Sequence, residues 1–333
     1  MTFRNSYRGR FAPSPTGPLH FGSLVTAVGS YLDARANGGE WLLRIEDIDA
    51  PRTVPAAADD IFRTLEGFGF EWDGEVVFQS RRIDLYHAAL IRLQLAGQVY
   101  PCSCTRSEIA AATTRRSVDG GLLYPGSCRA GLRGGVAARA WRLRVPDREF
   151  VFRDRVQGEM RQNLEREVGD FVLLRADGQY AYQLAVVVDD AAQGINSIVR
   201  GADLLESTAR QLWLRQCLGL PTPSHAHLPV AVNSAGEKLS KQTRAPAIDP
   251  AQGVGFLVRA LRFLGQPVPA EAERMALSDF WRWAIAAWRL ARVPVTRAIF
   301  QDSACERDER SLPRKNRNPQ TTETQKHGET QGR

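Results

Sequence analysis

Two ammonium groups fall within five residues, Lys238-Leu239-Ser240-Lys241-Gln242, in a chain whose 44 basic side chains include only two further lysines, Lys315 and Lys326. A compact, mobile ammonium delivers charge differently from a planar guanidinium, so the pair reads as a phosphate-handling loop. The alternative is chance clustering on a solvated surface. Far upstream, Pro18-Leu19-His20-Phe21-Gly22-Ser23 puts a histidine where a helix begins, and the glycine two residues later allows close approach to that turn. An anion placed there meets unpaired backbone amides and the positive end of the helix dipole, while His20 can donate to phosphate oxygens. His-x-Gly alone is a weak signal. Joined to a downstream Lys-x-Ser-Lys, with room between them for the rest of a sheet, it becomes strong.

The elements around these residues read as an interrupted α/β domain. Residues 7–12 form a short strand, followed by a Pro- and Gly-rich loop over 13–18 and a helix over about 19–37. That helix has Leu24, Val25, Val28, Tyr31 and Leu32 at helical spacing and ends at Gly38-Gly39. The apolar run 41–46 supplies the next strand. This is a βαβ unit, and a parallel sheet of this kind holds ligands at the carboxyl ends of its strands, near Ser14, His20 and Glu46. Helices are expected over 59–68, 83–96, 208–218, 254–264 and 277–290. Strands are expected over 183–190, where an apolar run ends in two aspartates, and over 197–201. Trp281, Trp283 and Trp288 are expected to pack a core.

The motif pair resembles the "HIGH" and "KMSKS" motifs of class I aminoacyl-tRNA synthetases. Arg10-Phe11-Ala12-Pro13-Ser14-Pro15-Thr16-Gly17 and Arg44-Ile45-Glu46-Asp47-Ile48-Asp49-Ala50-Pro51-Arg52 resemble the glutamyl and glutaminyl branch. Four motifs in the right order span about residues 7–249. Phe21, Ser23 and Gln242 depart from the family pattern; Ser23 stands where the motif has its second histidine, while His20 and both lysines are kept. The resemblance implies an α/β, Rossmann-like parallel sheet and ATP, with Mg2+, as co-substrate. It assigns His20, Lys238 and Lys241 to catalysis, and His20, Gly22 and Lys241 to ATP binding. Free glutamate carries one ammonium and two carboxylates, so its pocket needs an acid and fixed guanidinium groups. The resemblance supplies Glu46 for the ammonium, Arg10 and Arg200 for the carboxylates in bidentate fashion, and Tyr182 and Ser14 as further contacts. The competing reading makes Arg10 and Glu46 a structural ion pair and Tyr182 a core residue.

Length 333 allows about two domains, and the net charge of +7 with a pI near 9.4 fits a phosphate-rich partner without proving one. The expected division is 1–100 and 171–250 for the two catalytic halves, 101–170 for a loop-rich insertion, 251–304 for a helical cap and 305–333 for a disordered tail. Without a signal segment or a long apolar run, a cytoplasmic monomer with no membrane partner is expected. Of five cysteines, Cys102, Cys104 and Cys128 lie close together, which in a reducing compartment argues for metal or plain thiols.

Only 92 residues follow Lys241, too few for an anticodon-binding domain once the tail is set aside. That shortening resembles the glutamyl-queuosine tRNA synthetase family, which activates L-glutamate without tRNA and transfers it to queuosine in the anticodon loop of tRNA(Asp). In that family Cys102, Cys104, Tyr124 and Cys128 would hold Zn2+. The alternatives are a conventional glutamyl-tRNA synthetase acting at the tRNA 3′ end, a catalytically silent paralogue and a nucleotidyltransferase of the same superfamily.

Overall fold

The βαβ unit runs from β1 (Arg8–Phe11) through α1 (Phe21–Ala36) to β2 (Glu40–Ile45), which lies parallel to β1 with Arg10 opposite Leu42. The computed structural model describes residues 6–132, 134–239 and 246–301. α1 is wrapped by the core almost all round: Phe21, Leu24, Val25, Val28, Tyr31 and Leu32 are all buried in one cluster, with Phe21 edge-on to Phe263 and Tyr31 edge-on to Trp281. Gly29 is what lets it lie so close to the sheet: a Cβ there would stand 2.4 Å from a methyl of Leu228. After α2 (Ala57–Gly67) the short β3 (Val77–Phe78) adds to β2, again parallel. The fully buried Trp41 stacks between Phe11 and Phe70 and meets Tyr31 edge-on. Such ring pairs contribute about 0.5–1.5 kcal/mol each beyond area burial.

Then α3 (Ile83–Leu95) leads to β4 (Val99–Cys102) and α4 (Arg106–Ala112), whose first turn is closed by a Thr105–Glu108 capping box. β4 pairs antiparallel with β5 (Ala140–Leu143). β6 (Glu149–Asp154) and β7 (Gly158–Asn163) form a hairpin, α5 (Leu164–Glu167) follows, and β8 (Val172–Leu174) completes the small sheet beside β5.

The segment 183–190 is a helix, α6 (Tyr182–Ala192), where the sequence predicts a strand. The run Leu-Ala-Val-Val-Val mimics a buried strand because this helix is covered on most sides, so no polar stripe marks its period. The consequence is geometric. In a helix the adjacent Asp189 and Asp190 point about 100° apart rather than to opposite sheet faces. Asp189 accepts from Gln79, Arg82 and Tyr86, while Asp190 faces the other arginines described below.

The second half is another parallel crossover, β9 (Ser197–Gly201), α7 (Thr208–Cys217) and β10 (Ser224–Leu228), with β10 also touching β6 in parallel. Asn196 joins the halves: its amide donates to the Arg8 carbonyl (3.1 Å) and its Oδ1 accepts from the Arg8 amide (2.9 Å). β1 and β9 are therefore neighbours from which the chain winds outward in opposite directions, toward β2–β3 and toward β10–β6. Such a reversal opens a crevice at the carboxyl ends of the two strands.

Finally, β11 (Val230–Val232) pairs with β12 (Ala298–Phe300), and α8 (Val254–Phe263) and α9 (Leu277–Ala287) lie against α1. Trp281 and Trp288 are buried and Trp283 is half-buried against the same core, with the Trp281 indole donating to the Phe68 carbonyl (2.9 Å). Among the described residues, no helix is long and apolar enough to cross a membrane.

Candidate functional site

A cleft of about 560 Å³ opens where β1 and β9 end. Arg10, Ser14, His20, Gly22, Glu46, Tyr182, Arg200 and Lys238 all line it, so residues 228 positions apart share one wall-to-wall space. Lys241 lies outside the described residues.

The His20 end of the cleft is built by α1 and the hairpin before Ser240. His20 is the N-cap of α1: its Nδ1 accepts from the Ser23 amide (3.3 Å), so a neutral ring carries its proton on Nε2, which lies 3.1 Å from the Ser23 hydroxyl. An Asn233 turn folds 232–238 into a hairpin; its Oδ1 accepts from the amides of Ala235 and Glu237, and Val232 bridges Lys238. The Lys238 ammonium is thereby brought to Asp203 on the cleft rim (2.6 Å). Gly22 is the contact point of the two motifs, since a Cβ there would lie 3.3 Å from the Leu239 carbonyl and 3.2 Å from the His20 ring. The chain returns at Ala247, which bridges His20, and the Ile248 amide donates to the Leu19 carbonyl (3.1 Å).

The opposite end is a nest of buried charge. Arg10 and Arg44 both reach Asp190, at 3.1 and 2.8 Å, with Arg215 3.7 Å away. Burial opposes ionisation of Asp190, but the three guanidinium groups prevail and hold its carboxyl well below the usual range. Arg44 also pairs with Glu46 (3.3 Å), two residues on along the same face of β2. Burial pushes the Glu46 carboxyl up, against the pull of Arg44 and Arg10. The competing ion pair therefore takes a different form: Arg10 bonds Asp190, not Glu46, and its two Nη groups take no acceptor among the described residues.

Arg200 is held differently. Its Nε donates to His227 (2.9 Å), Nη1 to Gln211 (2.8 Å), and Nη2 to Thr208 (3.0 Å) and the Leu204 carbonyl (3.3 Å). Of its five N–H groups one, on Nη1, is left to face a ligand. The bidentate pairing expected of both arginines is thus open to Arg10, whereas Arg200 offers one hydrogen bond and its charge. Burial lowers the Arg200 guanidinium from its ordinary value, and Arg10 adds to this. Among the described residues, the buried arginines of this floor (Arg10, Arg44, Arg200 and Arg215) form direct ion pairs with only two carboxylates, Asp190 and Glu46, while Asp189 and Asp203 act from further off. A ligand with more negative than positive charge relieves that imbalance. Tyr182, at the first turn of α6, has its hydroxyl pushed up, mainly by burial and then by Glu46. It stays a neutral donor.

Residue reading alone missed Arg44, Asp190, Arg215, His227 and Asp154. Arg44 had a signal, its alternation with Glu46 on one strand. Asp154 and His227 had none, because 73 positions separate them.

Away from the cleft, Cys102, Cys104 and Cys128 place their sulfurs within 4.8 Å of one another, and the Tyr124 hydroxyl lies 3.4 and 3.6 Å from the first two. Tetrahedral coordination by donors at about 2.0–2.3 Å requires donor separations of about 3.3–3.8 Å, and the Cys104–Cys128 sulfurs lie 3.5 Å apart, so this set fits a metal ion. Arg142 supports anionic sulfur there: its guanidinium lies over the Tyr124 ring (3.7 Å) and its Nε bonds Cys102 Sγ (3.3 Å). Burial opposes thiolate formation at Cys128, yet hydrogen bonds from the Tyr124 hydroxyl and the Ser103 amide bring its thiol down to about 6.

Comparison with known proteins agrees with this geometry. The family model for tRNA synthetases class I (E and Q), catalytic domain, matches residues 6–280. A glutamyl-Q tRNA(Asp) synthetase from Dechloromonas aromatica is 64% identical over 288 residues, covering 86% of this chain and 96% of that protein. One from Chromobacterium violaceum is 63% identical over 288 residues, covering 86% and 95%. A glutamate tRNA ligase from Elizabethkingia meningosepticum, solved in complex with its amino acid, matches with a TM-score of 0.72 at 27% identity, over 88% of this chain and 66% of that one. The chain belongs to the class I tRNA synthetases (E and Q), and within them its relatives of high identity are glutamyl-Q tRNA(Asp) synthetases.

Proposed function

We propose that the cleft activates L-glutamate with ATP, without tRNA, and that the glutamate is then transferred to queuosine in the anticodon loop of tRNA(Asp). The observation that carries this is the meeting, in one cleft, of a surplus of buried guanidinium charge with the His20–Lys238 phosphate end. Glu46, a buried carboxylate on the cleft wall whose burial disfavours its charge, takes the substrate ammonium. Arg10 grips one carboxylate with its two Nη groups and Arg200 directs its remaining N–H at a carboxylate, with Tyr182 and Ser14 beside them. An oxygen of the substrate carboxylate attacks the α-phosphorus; the bond to pyrophosphate breaks and glutamyl-adenylate forms. The enzyme needs no nucleophile of its own, only alignment and charge neutralisation. His20 Nε2–H and the α1 amides face the reacting phosphate, and Lys238 with Lys241 receives the departing pyrophosphate. Mg2+ would accompany ATP and shield its phosphate oxygens.

The test uses radiolabelled glutamate with tRNA from cells that make or lack queuosine. Label is expected on queuosine-containing tRNA(Asp) alone, and resistant to removal of the 3′ terminal nucleotide. Label at the 3′ end of unmodified tRNA would instead establish a conventional synthetase. Glutamate-dependent exchange of pyrophosphate into ATP is expected with no RNA present; exchange that appears only on adding tRNA contradicts the reading.

Zn2+ is the ion best matched to three thiols and a phenol oxygen, as a structural cross-link between the ends of the 102–128 loop. Metal analysis of purified protein is expected to find about one zinc per chain, and far less in Cys128→Ser. Equal zinc in both would place the metal elsewhere.

A further inference from the structure

Behind Arg200 stands a pair of fully buried groups that the activation chemistry does not use. His227 Nε2 accepts from Arg200 Nε (2.9 Å), and its Nδ1 lies 2.6 Å from Asp154 Oδ2. The other oxygen of Asp154, Oδ1, accepts from three backbone amides, those of Val156 (2.9 Å), Gln157 (2.8 Å) and His227 itself (3.1 Å). The carboxylate is thus pinned by its own turn and by β10. Asp154 can only accept, so the ring must carry its proton on Nδ1, and Nε2 is left as a lone-pair acceptor for the guanidinium.

We propose that His227, held in this tautomer by Asp154, is a positioning residue for the amino acid substrate: it fixes Arg200 with a neutral acceptor and so keeps that arginine's charge available to a substrate carboxylate. The contrast with Arg10 is what supports this. Arg10 is anchored by a carboxylate that it shares with Arg44 and Arg215, so part of its charge is answered within the protein. Arg200 is anchored by an imidazole, an amide oxygen, a hydroxyl and a carbonyl, none of them charged. Asp190 and Asp203 act on Arg200 through space without bonding it, and His227 keeps Asp154 a ring's width away. A buried cation with uncharged anchors favours an anionic ligand over an isosteric neutral one, because only the former restores charge balance. The relay therefore bears on selection of glutamate over glutamine, and it rests on the reading of Arg200 as a substrate contact.

Asp154→Asn isolates the idea. The amide oxygen retains the three backbone amides, which forces the NH2 toward Nδ1; the ring proton must then move to Nε2, where it opposes Arg200 Nε–H. Donor faces donor, with little change of shape. In glutamate-dependent pyrophosphate exchange, the glutamate KM of Asp154→Asn is expected to rise about 10- to 100-fold, with the ATP KM within about twofold of the parent, as loss of one charge-assisted hydrogen bond implies. Discrimination against glutamine should fall in parallel. His227→Gln, which offers an amide oxygen to Arg200 and needs no tautomer, should stay within a few-fold of the parent, and the Asp154→Asn/His227→Gln double variant should recover most of the lost glutamate affinity. Imidazole nitrogen NMR supplies a readout independent of activity: His227, assigned by its absence in His227→Gln, should be Nδ1-protonated in the parent and Nε2-protonated in Asp154→Asn.

The relay is overturned if Arg200→Gln raises the glutamate KM while Asp154→Asn does not, if glutamate and ATP constants rise together, or if the tautomer is the same in both proteins. An unmoved glutamate KM in Arg200→Gln overturns the pocket assignment itself, and with it the positioning role of His227.

Discussion

Asp190→Asn is expected to lower stability by about 3–5 kcal/mol and to weaken glutamate binding in whatever protein still folds, because it leaves Arg10, Arg44 and Arg215 buried without the carboxylate they share. The side-chain shape is nearly unchanged, so the effect is one of charge. Its pH dependence follows from the depressed carboxyl. A group held below its unfolded value contributes fully above that value, about 3.9 for aspartate, and loses its contribution as the folded protein is titrated further down. The gap between parent and variant should therefore be constant from about pH 5 to 8 and narrow in stronger acid. Thermal or urea unfolding of both proteins across that range checks it. A gap below about 1 kcal/mol at neutral pH would mean that the three guanidinium groups find other counter-charge, and that Asp190 is not the centre of the cluster. The coupling to substrate is specific: Arg10 is tied to Asp190 by its Nε alone, so loss of that bond frees the rotamer that aims its Nη groups into the cleft.

The second large effect belongs to the phosphate end. His20 both caps α1 and faces the cleft, and these roles can be separated. His20→Asn keeps a side-chain oxygen for the Ser23 amide, among the best of N-cap residues, but removes the imidazole N–H. The expected result is an unchanged melting temperature with a fall in the exchange rate of about 10²–10³, the usual cost of losing one preorganised donor to a reacting oxyanion. His20→Ala should lose the same factor and, in addition, about 1 kcal/mol of stability from the missing cap. Lys241→Ala is expected to match it in rate if that ammonium meets the leaving phosphates. An exchange rate for His20→Asn within about threefold of the parent would reduce His20 to a capping residue and move the chemistry toward the hairpin lysine Lys238.

Much of the site was legible before any fold was known, because class I chemistry is carried by short segments with local rules. His20 must follow a strand and open a helix, and Lys238 must sit in a polar turn; both conditions can be read from the neighbouring residues. Arg10 and Glu46 are equally local, one near the end of a short strand and one just past an apolar run, with Ser14 in the Pro-rich loop between strand and helix. The misreading of 183–190 shows where such reasoning stops. A run of β-branched residues has the same composition in a central strand and in a helix covered on most sides, and what distinguishes them is the neighbours, α3 and α7 packed on α6. With the helix come two aspartates on divergent faces, and only Asp190 pairs with Arg10, Arg44 and Arg215.

The amino-acid order alone determined which groups could do chemistry, since the identity and spacing of His20, Lys238, Glu46 and the three cysteines are properties of short stretches. Tertiary structure decided how those groups are held. Arg44, Arg10 and Arg215 converge on Asp190, and Asp154 reaches Arg200 through His227, by contacts between residues 25 to 180 positions apart. Burial makes those contacts strong and the parallel sheet makes them adjacent, and neither low dielectric nor strand order is written in any one segment.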